Sequence, residues 1–151
     1  MTNEVEILYV EDDAAEVELT LIALKEFGLA NAIHVARDGV EALDFLLFRG
    51  SHANRPGYVP KFVLLDLKLP KVSGLEVLKA IRSNDSTRTI PVVVLTSSKE
   101  QKDLLESYEL GVNSYVQKPV DFIQFRQAVR QLGTYWLVVN QPPPLQAGPI
   151  G

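Results

Sequence analysis

Five polar residues stand where apolar runs stop, and their types suit one kind of chemistry. Glu11 and Asp12 follow Ile7-Leu8-Tyr9-Val10, and Asp66 follows Phe62-Val63-Leu64-Leu65. Thr96 closes Val92-Val93-Val94-Leu95, and Lys118 follows Tyr115-Val116-Gln117. Carboxylates from two separate strand ends, with a backbone carbonyl, make a hard oxygen site suited to Mg²⁺ that keeps several waters. A hydroxyl and an ammonium beside it would meet the oxygens of a transferred phosphoryl group. An ionised aspartate is already a nucleophile and needs no general base. Metal and ammonium together would offset the charge that develops during in-line transfer to Asp66. Such a pocket suits receiving a phosphoryl group better than turning over a metabolite.

Each residue also has a plainer use. Acids favour the start of a helix, and Asp13 fits an N-cap well. Glu11 and Asp12 fit that use less well, because they leave the strand end itself, and adjacent carboxylates repel unless a cation offsets them. Thr96 can cap the turn after its strand, as can Ser97 and Ser98. Lysines are mostly solvated surface charge, but a strand leads straight into Lys118, and Pro119 fixes the chain after it, leaving a cis bond open. Tyr115 can simply pack, as strand aromatics do.

The elements that must carry these residues are legible as alternating runs. Strands are expected at Val5–Val10, Ala32–Ala36, Phe62–Leu65, Val92–Thr96 and Ser114–Gln117, rich in Val, Ile and Tyr. Val63–Leu65 and Val92–Leu95 do not alternate, so both faces should be covered, as in a parallel sheet between helices. Helical spacing recurs in Val17, Leu21, Leu24 and Phe27 up to Gly28, and from Asp38-Gly39 through Leu47 to Gly50. It recurs again in Leu75, Leu78 and Ile81, in Leu104 to Leu110 before Gly111, and in Phe122, Phe125, Val129 and Leu132. The order βαβαβαβαβα predicts an α/β, doubly wound parallel sheet. In such sheets chemistry collects at the C-terminal strand ends. Gly50–Pro60 reads as a surface loop. From about Asn140 the chain is too rich in Pro and Gly to pack as an element, and is expected to fray or to serve as a polyproline segment.

Composition narrows the classes. The 151 residues suffice for one domain with a sizeable core, and 46% are apolar. A net charge of −4 argues against nucleic acid as a partner. There is no cysteine, which removes disulfides and thiolate metal sites, and two histidines, His34 and His52, are too few for a His-rich metal site. Neither a signal peptide nor an apolar run near the roughly 18 residues of a membrane span is visible, so the expectation is a soluble cytoplasmic domain.

Taken in order, the strings Ile7-Leu8-Tyr9-Val10-Glu11-Asp12-Asp13, Leu64-Leu65-Asp66-Leu67-Lys68-Leu69-Pro70, Ser73-Gly74, Val94-Leu95-Thr96-Ser97 and Tyr115-Val116-Gln117-Lys118-Pro119 resemble the receiver domain of two-component response regulators. The separations, 30 residues from Asp66 to Thr96 and 52 from Asp66 to Lys118, are similar to those of that family. The resemblance implies a flavodoxin-like, CheY-like (βα)5 fold with strand order 2-1-3-4-5. It implies a receiver domain over residues 1–140, a tail over 141–151, and no output domain after it. It implies Asp66 as phosphoacceptor, with Mg²⁺ (or Mn²⁺) held by Asp12 directly, by Glu11 through water, by Asp66 and by the backbone carbonyl of Lys68. Thr96 is then the switch hydroxyl, Tyr115 the switch aromatic and Lys118 the ammonium partner. Lys68 is a less common side chain at its position in that family, and it would lie across the mouth of the site and pair with the phosphoryl group or with Glu11. Such a domain catalyses its own phosphorylation and a slow loss of the acyl phosphate, and is not a metabolic enzyme.

A narrower resemblance lies in Phe125-Arg126-Gln127-Ala128-Val129-Arg130-Gln131-Leu132-Gly133 with Thr134-Tyr135-Trp136, in the long loop before Phe62 and in Leu67-Lys68-Leu69-Pro70. These are similar to regulators paired with bacterial phytochrome histidine kinases. That implies a sensor kinase as partner and a homodimer through the face of the fourth helix, fifth strand and fifth helix. The apolar run Tyr135–Val139 would form an interface if left bare, or Trp136 could fold back over its own domain. Two other readings stay open: a small Mg²⁺-dependent phosphohydrolase, which would need a second carboxylate close to its nucleophile, and a binding module that is never phosphorylated.

Overall fold

A computed structural model describes residues 5–28, 32–57 and 59–144. Five parallel strands, β1 (Ile7–Val10), β2 (Ile33–Ala36), β3 (Phe62–Leu65), β4 (Val92–Thr96) and β5 (Ser114–Gln117), pair in the order β2-β1-β3-β4-β5. The fold is therefore the expected doubly wound α/β sheet, with β3, β4 and β5 bounded as the sequence predicts. β1 and β2 start two residues and one residue later than expected. Ile7 pairs with both Ile33 and Phe62, and Val10 with both Ala36 and Leu65, so β1 and β3 lie at the middle of the sheet.

Strand alternation sends side chains to two separate cores. Leu8, Val10, Val63, Leu65, Val92 and Val94 pack under α2 (Gly39–Leu46) and α3 (Gly74–Ser83). Ile7, Tyr9, Phe62, Leu64, Val93 and Leu95 pack under α1 (Ala14–Glu26) and α5 (Phe122–Thr134). Both faces are covered, which explains the unbroken apolar runs. The remaining helix, α4 (Gln101–Glu109), buries only Ser107 fully and leaves Leu105 and Tyr108 exposed.

Local chemistry fixes the helix starts. The Asp13 carboxylate accepts from the N–H groups of Ala15 and Glu16, so the cap assigned to it is present. Asp38 caps α2 through the Glu41 N–H, and Ser73 with Glu76 forms a capping box on α3. The expected span of α2 to Gly50 is too long. The helix stops at Leu46 because Phe48 turns left-handed at φ 55°, and a short 3₁₀ turn, Gly50–His52, follows.

The first residues of the tail form no element, as expected, yet they lie against the domain. Pro142, Pro143 and Pro144 line a shallow apolar cleft with Val59, Pro60, Ile90 and Pro91, below the start of β4; the rest of the tail lies outside the described residues. After α5 the helix widens into a π turn, Tyr135–Val139. Trp136 and Leu137 fold back onto the α1/α5 core, with the Trp136 ring 6.4 Å from that of Phe62, whereas Tyr135, Val138 and Val139 stay exposed. The apolar run thus folds back onto the domain in one part and is left bare in the other.

Candidate functional site

Glu11, Asp66 and Lys118 each stand one residue past a strand, Thr96 at the end of one and Asp12 two residues past β1, and the sheet ladder positions the first three. The Glu11 amide donates to Ala36 O (3.0 Å), the Asp66 amide to Val10 O (3.1 Å) and the Lys118 amide to Thr96 O (2.7 Å). Parallel pairing therefore brings sequence-remote residues to one edge, as expected of the C-terminal side of such a sheet. Oxygens of Glu11, Asp12 and Asp66 lie within 4.8 Å of one another, with Glu11 and Asp66 buried and Asp12 exposed.

Lys118 ties the group together. Its ammonium lies 2.8 Å from Glu11 Oε1, 2.8 Å from Glu16 Oε1 and 3.2 Å from Asp66 Oδ2. The Lys118 side chain is 8% exposed, against 2% for Glu11 and 9% for Asp66. Glu16 was not among the residues singled out from the sequence. Its only signal there was its place three residues after the Asp13 cap, which an acid fills for the helix dipole alone. The Lys118–Pro119 bond, for which a cis form was open, is trans.

Burial and charge act in opposite senses on this pair. Burial pulls the Lys118 ammonium down, but hydrogen bonds to Glu11 and Glu16 and the charge of Asp66 outweigh it, so the lysine is held charged, above its ordinary range. Glu11 is pushed up to about 7, first by burial and further by the Asp66 charge, against the hydrogen bond from Lys118. Two buried carboxylates with one shared ammonium leave negative charge at the edge, which a further cation would offset.

The surrounding backbone closes the pocket from below. A Cβ on Gly74 would sit 2.3 Å from Asp66 O and 2.5 Å from Leu67 Cα, so only glycine lets α3 begin against this loop. The Gly74 amide donates to Leu67 O at 2.8 Å. Lys71, with φ 68°, completes the tight β3–α3 turn and pairs with Asp38 at 3.3 Å. The Lys68 amide lies 3.5 Å from Asp66 Oδ1, at the limit of a hydrogen bond, and its side chain is exposed.

Thr96 is fully buried at the end of β4, and its Oγ1 accepts from the Ser98 amide at 3.3 Å, which is the capping use open to it from the sequence. Tyr115 lies half-buried against the α2/α3 core, with its hydroxyl donating to Ser98 O at 3.4 Å. Burial raises its phenol above the ordinary range. Thr96 and Tyr115 therefore meet at the same residue, Ser98, at the start of the β4–α4 loop.

The donor set fits a hard divalent cation. Three carboxylates from two strand ends converge, without the nitrogen or sulfur donors that would select a softer ion. Glu11, Asp12 and Asp66 would hold it, and the ion would supply charge neutralisation for phosphoryl oxygens.

Known proteins resemble this chain in sequence and in fold. Response regulator Rcp1 of Synechocystis sp. is 40% identical over 131 residues, covering 87% of this chain and 88% of its own. The crystal structure of the Mn²⁺-bound form of response regulator Rcp1 matches with a TM-score of 0.86 and 38% identity, over 92% of this chain and 99% of that one. The phosphorylated cyanobacterial phytochrome response regulator RcpA matches with a TM-score of 0.86 and 37% identity, over 93% and 99%. The bacteriophytochrome response regulator AtBRR is 56% identical, with a TM-score of 0.72, over 91% and 99%. The model of the response regulator receiver domain matches residues 7–130, the stretch that runs from the first residue of β1 through Glu11, Asp66, Thr96 and Lys118 into α5. With its strand order, its acidic edge and these relatives in agreement, the chain belongs to the response regulator receiver domain family.

Proposed function

We propose that Asp66 accepts a phosphoryl group from a phosphohistidine of a sensor kinase of the phytochrome type, and that the phosphorylated protein signals by contact with other proteins. In that step an Asp66 carboxylate oxygen forms the O–P bond as the P–N bond to the imidazole breaks, and the imidazole nitrogen leaves with the electron pair. The observation that carries this reading is the Lys118 ammonium held between Glu11 and Asp66 at the centre of the sheet edge. It is already placed to meet a phosphoryl oxygen on Asp66. Glu11, Asp12 and Asp66, with the Lys68 carbonyl after them, would hold Mg²⁺ or Mn²⁺, a reading that the convergence of the three carboxylates and the Mn²⁺-bound form of Rcp1 support. Water later hydrolyses the acyl phosphate slowly.

Thr96 and Tyr115 act as the switch. Thr96 Oγ1 leaves the Ser98 amide to donate to the phosphoryl group, and Tyr115, released from Ser98 O, turns further into the core. Both moves act on the loop that leads into α4, which is the least buried helix of the domain. The exposed Leu105 and Tyr108 of α4, and Tyr135, Val138 and Val139 after α5, support a homodimer through the α4-β5-α5 side.

Incubation with Mg²⁺ and acetyl phosphate or phosphoramidate, read by intact mass and by released phosphate, tests the assignment. One added phosphoryl group, or steady phosphate release, is expected for the native chain and neither for Asp66→Asn. Labelling that persists in Asp66→Asn would move the acceptor elsewhere. Neither signal in the native chain would leave a binding module. Light scattering of the same samples checks the dimer: Val138→Asp should lower the mass of the particle without altering phosphate uptake.

A further inference from the structure

Two histidines that are 18 residues apart in the sequence meet over one carboxylate, on the opposite side of β1 from α1 and α5. His34 lies in β2, Glu41 in the first turn of α2, and His52 in the 3₁₀ turn of the loop before β3. His34 Nε2 is 3.2 Å from Glu41 Oε2, and His52 Nε2 is 3.7 Å from the same oxygen. One ligating atom from each of the three lies within 4.8 Å of the others. We propose that His34, Glu41 and His52 form a second metal site, for a borderline divalent ion such as Zn²⁺, separate from the acidic edge around Asp66.

The geometry is close to what such an ion needs. Ligands about 2.0–2.1 Å from a tetrahedral Zn²⁺ stand roughly 3.3–3.4 Å from one another. The two nitrogen–oxygen separations bracket that value, and a ring nitrogen of each histidine lies within 4.8 Å of the other, so side-chain rotations that bring the imidazoles together would close the set around an ion. Two imidazoles with one carboxylate select Zn²⁺, Co²⁺ or Ni²⁺ over Mg²⁺, which prefers oxygen. A water would fill the fourth position, because the three side chains are only half-buried.

The ligands are held from behind. Glu41 Oε1 accepts from the Arg37 amide at 3.1 Å, which turns Oε2 toward the imidazoles. The His34 ring stacks on Phe45, with centroids 4.3 Å apart and planes 9° from parallel. His52 packs edge-on to both rings, at 5.1 and 5.2 Å. Phe45 also carries the Arg55 guanidinium, 3.8 Å from its centroid, a positive charge against which the Glu41 carboxylate must hold the ion. A bound ion would clamp the 3₁₀ turn of the long loop onto the edge strand β2. The loop also meets β2 through the contact of the His52 and His34 rings, and is tied to α2 by the Arg55 hydrogen bond to Phe45 O (2.9 Å).

The test uses the full chain, stripped of metal and then saturated with Mg²⁺ so that the acidic edge is filled. Co²⁺ is added and followed by calorimetry and by its visible absorption, which is intense only in tetrahedral sites. One equivalent with tetrahedral absorption is expected, retained in Asp12→Asn and weakened in His52→Ala and Glu41→Gln. The loss should be at least the roughly 10–100-fold that even outer partners of metal ligands cost. His52 sits on the loop, so its variant does not endanger the core that His34→Ala would disturb. Binding abolished by Asp12→Asn and unchanged in His52→Ala would assign the ion to the acidic edge and overturn the proposal, as would no binding in excess Mg²⁺.

Discussion

Two ion pairs of this molecule join a basic side chain on or near α5 to a carboxylate on or near α1, and they differ in almost everything else. Arg126 grips Glu26 with two contacts, 2.7 Å from Nε to Oε1 and 2.5 Å from the second nitrogen to Oε2, on side chains 38% and 41% exposed. Lys118 reaches three carboxylates through a single nitrogen, with 8% of its side chain exposed. By geometry alone the Arg126 pair is the better bond. Water and salt screen it, however, and two long side chains must be held still to make it. The Lys118 cluster is screened far less, so each of its charges depends on the others. The difference teaches that the acidic edge is organised by burial rather than by the quality of any single contact.

Removing the lysine should break that organisation most severely. Above pH 7, where Glu11 is ionised, Lys118→Ala leaves Glu11 and Asp66 buried together with no ammonium, and breaking one side of a buried pair costs about 3–5 kcal/mol. Urea unfolding in metal-free buffer should show that loss, and millimolar Mg²⁺ should recover part of it by replacing the missing charge. Stability within about 0.5 kcal/mol of the native chain would mean that the carboxylates are well solvated at this edge, as surface substitutions are.

The next effect depends on pH. The folded chain holds a proton on Glu11 up to about 7, well above the ordinary carboxylate range, because burial disfavours its charge. The fold thus binds that proton more tightly than the unfolded chain does. The associated stability is present below the unfolded value of about 4.3 and is lost as pH rises through about 7. Glu11→Gln is neutral throughout. In metal-free buffer it should match the native chain near pH 4.5 and exceed it by on the order of 2–3 kcal/mol above pH 7. Urea midpoints of the two proteins across that interval give the slope. A native chain that gains on the variant as pH rises would show that the Lys118 hydrogen bond overrides burial.

Much of this was legible in the sequence, for reasons that also mark where legibility stopped. Strands β3 and β4 were readable to the residue because buried parallel strands are unbroken apolar runs that stop at a polar residue, whereas β5, only partly buried, was bounded by its Tyr115-Val116 pair and by Lys118-Pro119 after it. These boundaries placed Asp66, Thr96 and Lys118 at strand ends. The strand starts of β1 and β2 were less clear, since Val5 and Ala32 continue the apolar pattern outside the ladder. Phe48 could not announce its left-handed turn, because nothing in an aromatic side chain favours φ above zero. Glu16 was hidden by a sufficient local explanation, the helix dipole, while its contact with Lys118 is a product of tertiary packing. His34 and His52 were set aside by counting. Their meeting over Glu41 depends on where a long loop returns, which periodicity does not record.

The turn below Asp66 offers a change of intermediate size that touches no charge. In Gly74→Ala the new methyl meets Asp66 O at 2.3 Å, against backbone that cannot rotate away. The strain should lower stability by about 1–3 kcal/mol, the usual range for overpacking. It should also slow phosphate uptake, since relief comes by moving the Asp66–Leu67 backbone. A full loss of stability with unchanged uptake would show that α3 moves instead, leaving Asp66 in place.

The smallest effect should come from the pair with the best geometry. Arg126→Ala removes both contacts to Glu26, yet the carboxylate left behind is exposed and takes water in place of the guanidinium. The substitution also removes aliphatic stem and a guanidinium 5.7 Å from the Phe27 ring centre, but Arg130 lies nearer that ring, at 4.6 Å, and remains. Unfolding midpoints at low and high salt should therefore coincide for the native chain and the variant within error. A clear loss at low salt that vanishes at high salt would show that the surface pair contributes after all. The contrast with Lys118 would then be one of degree, set by screening, rather than one of dependence. Only if Lys118→Ala keeps its large cost at high salt while Arg126→Ala stays silent does burial alone separate the two clusters.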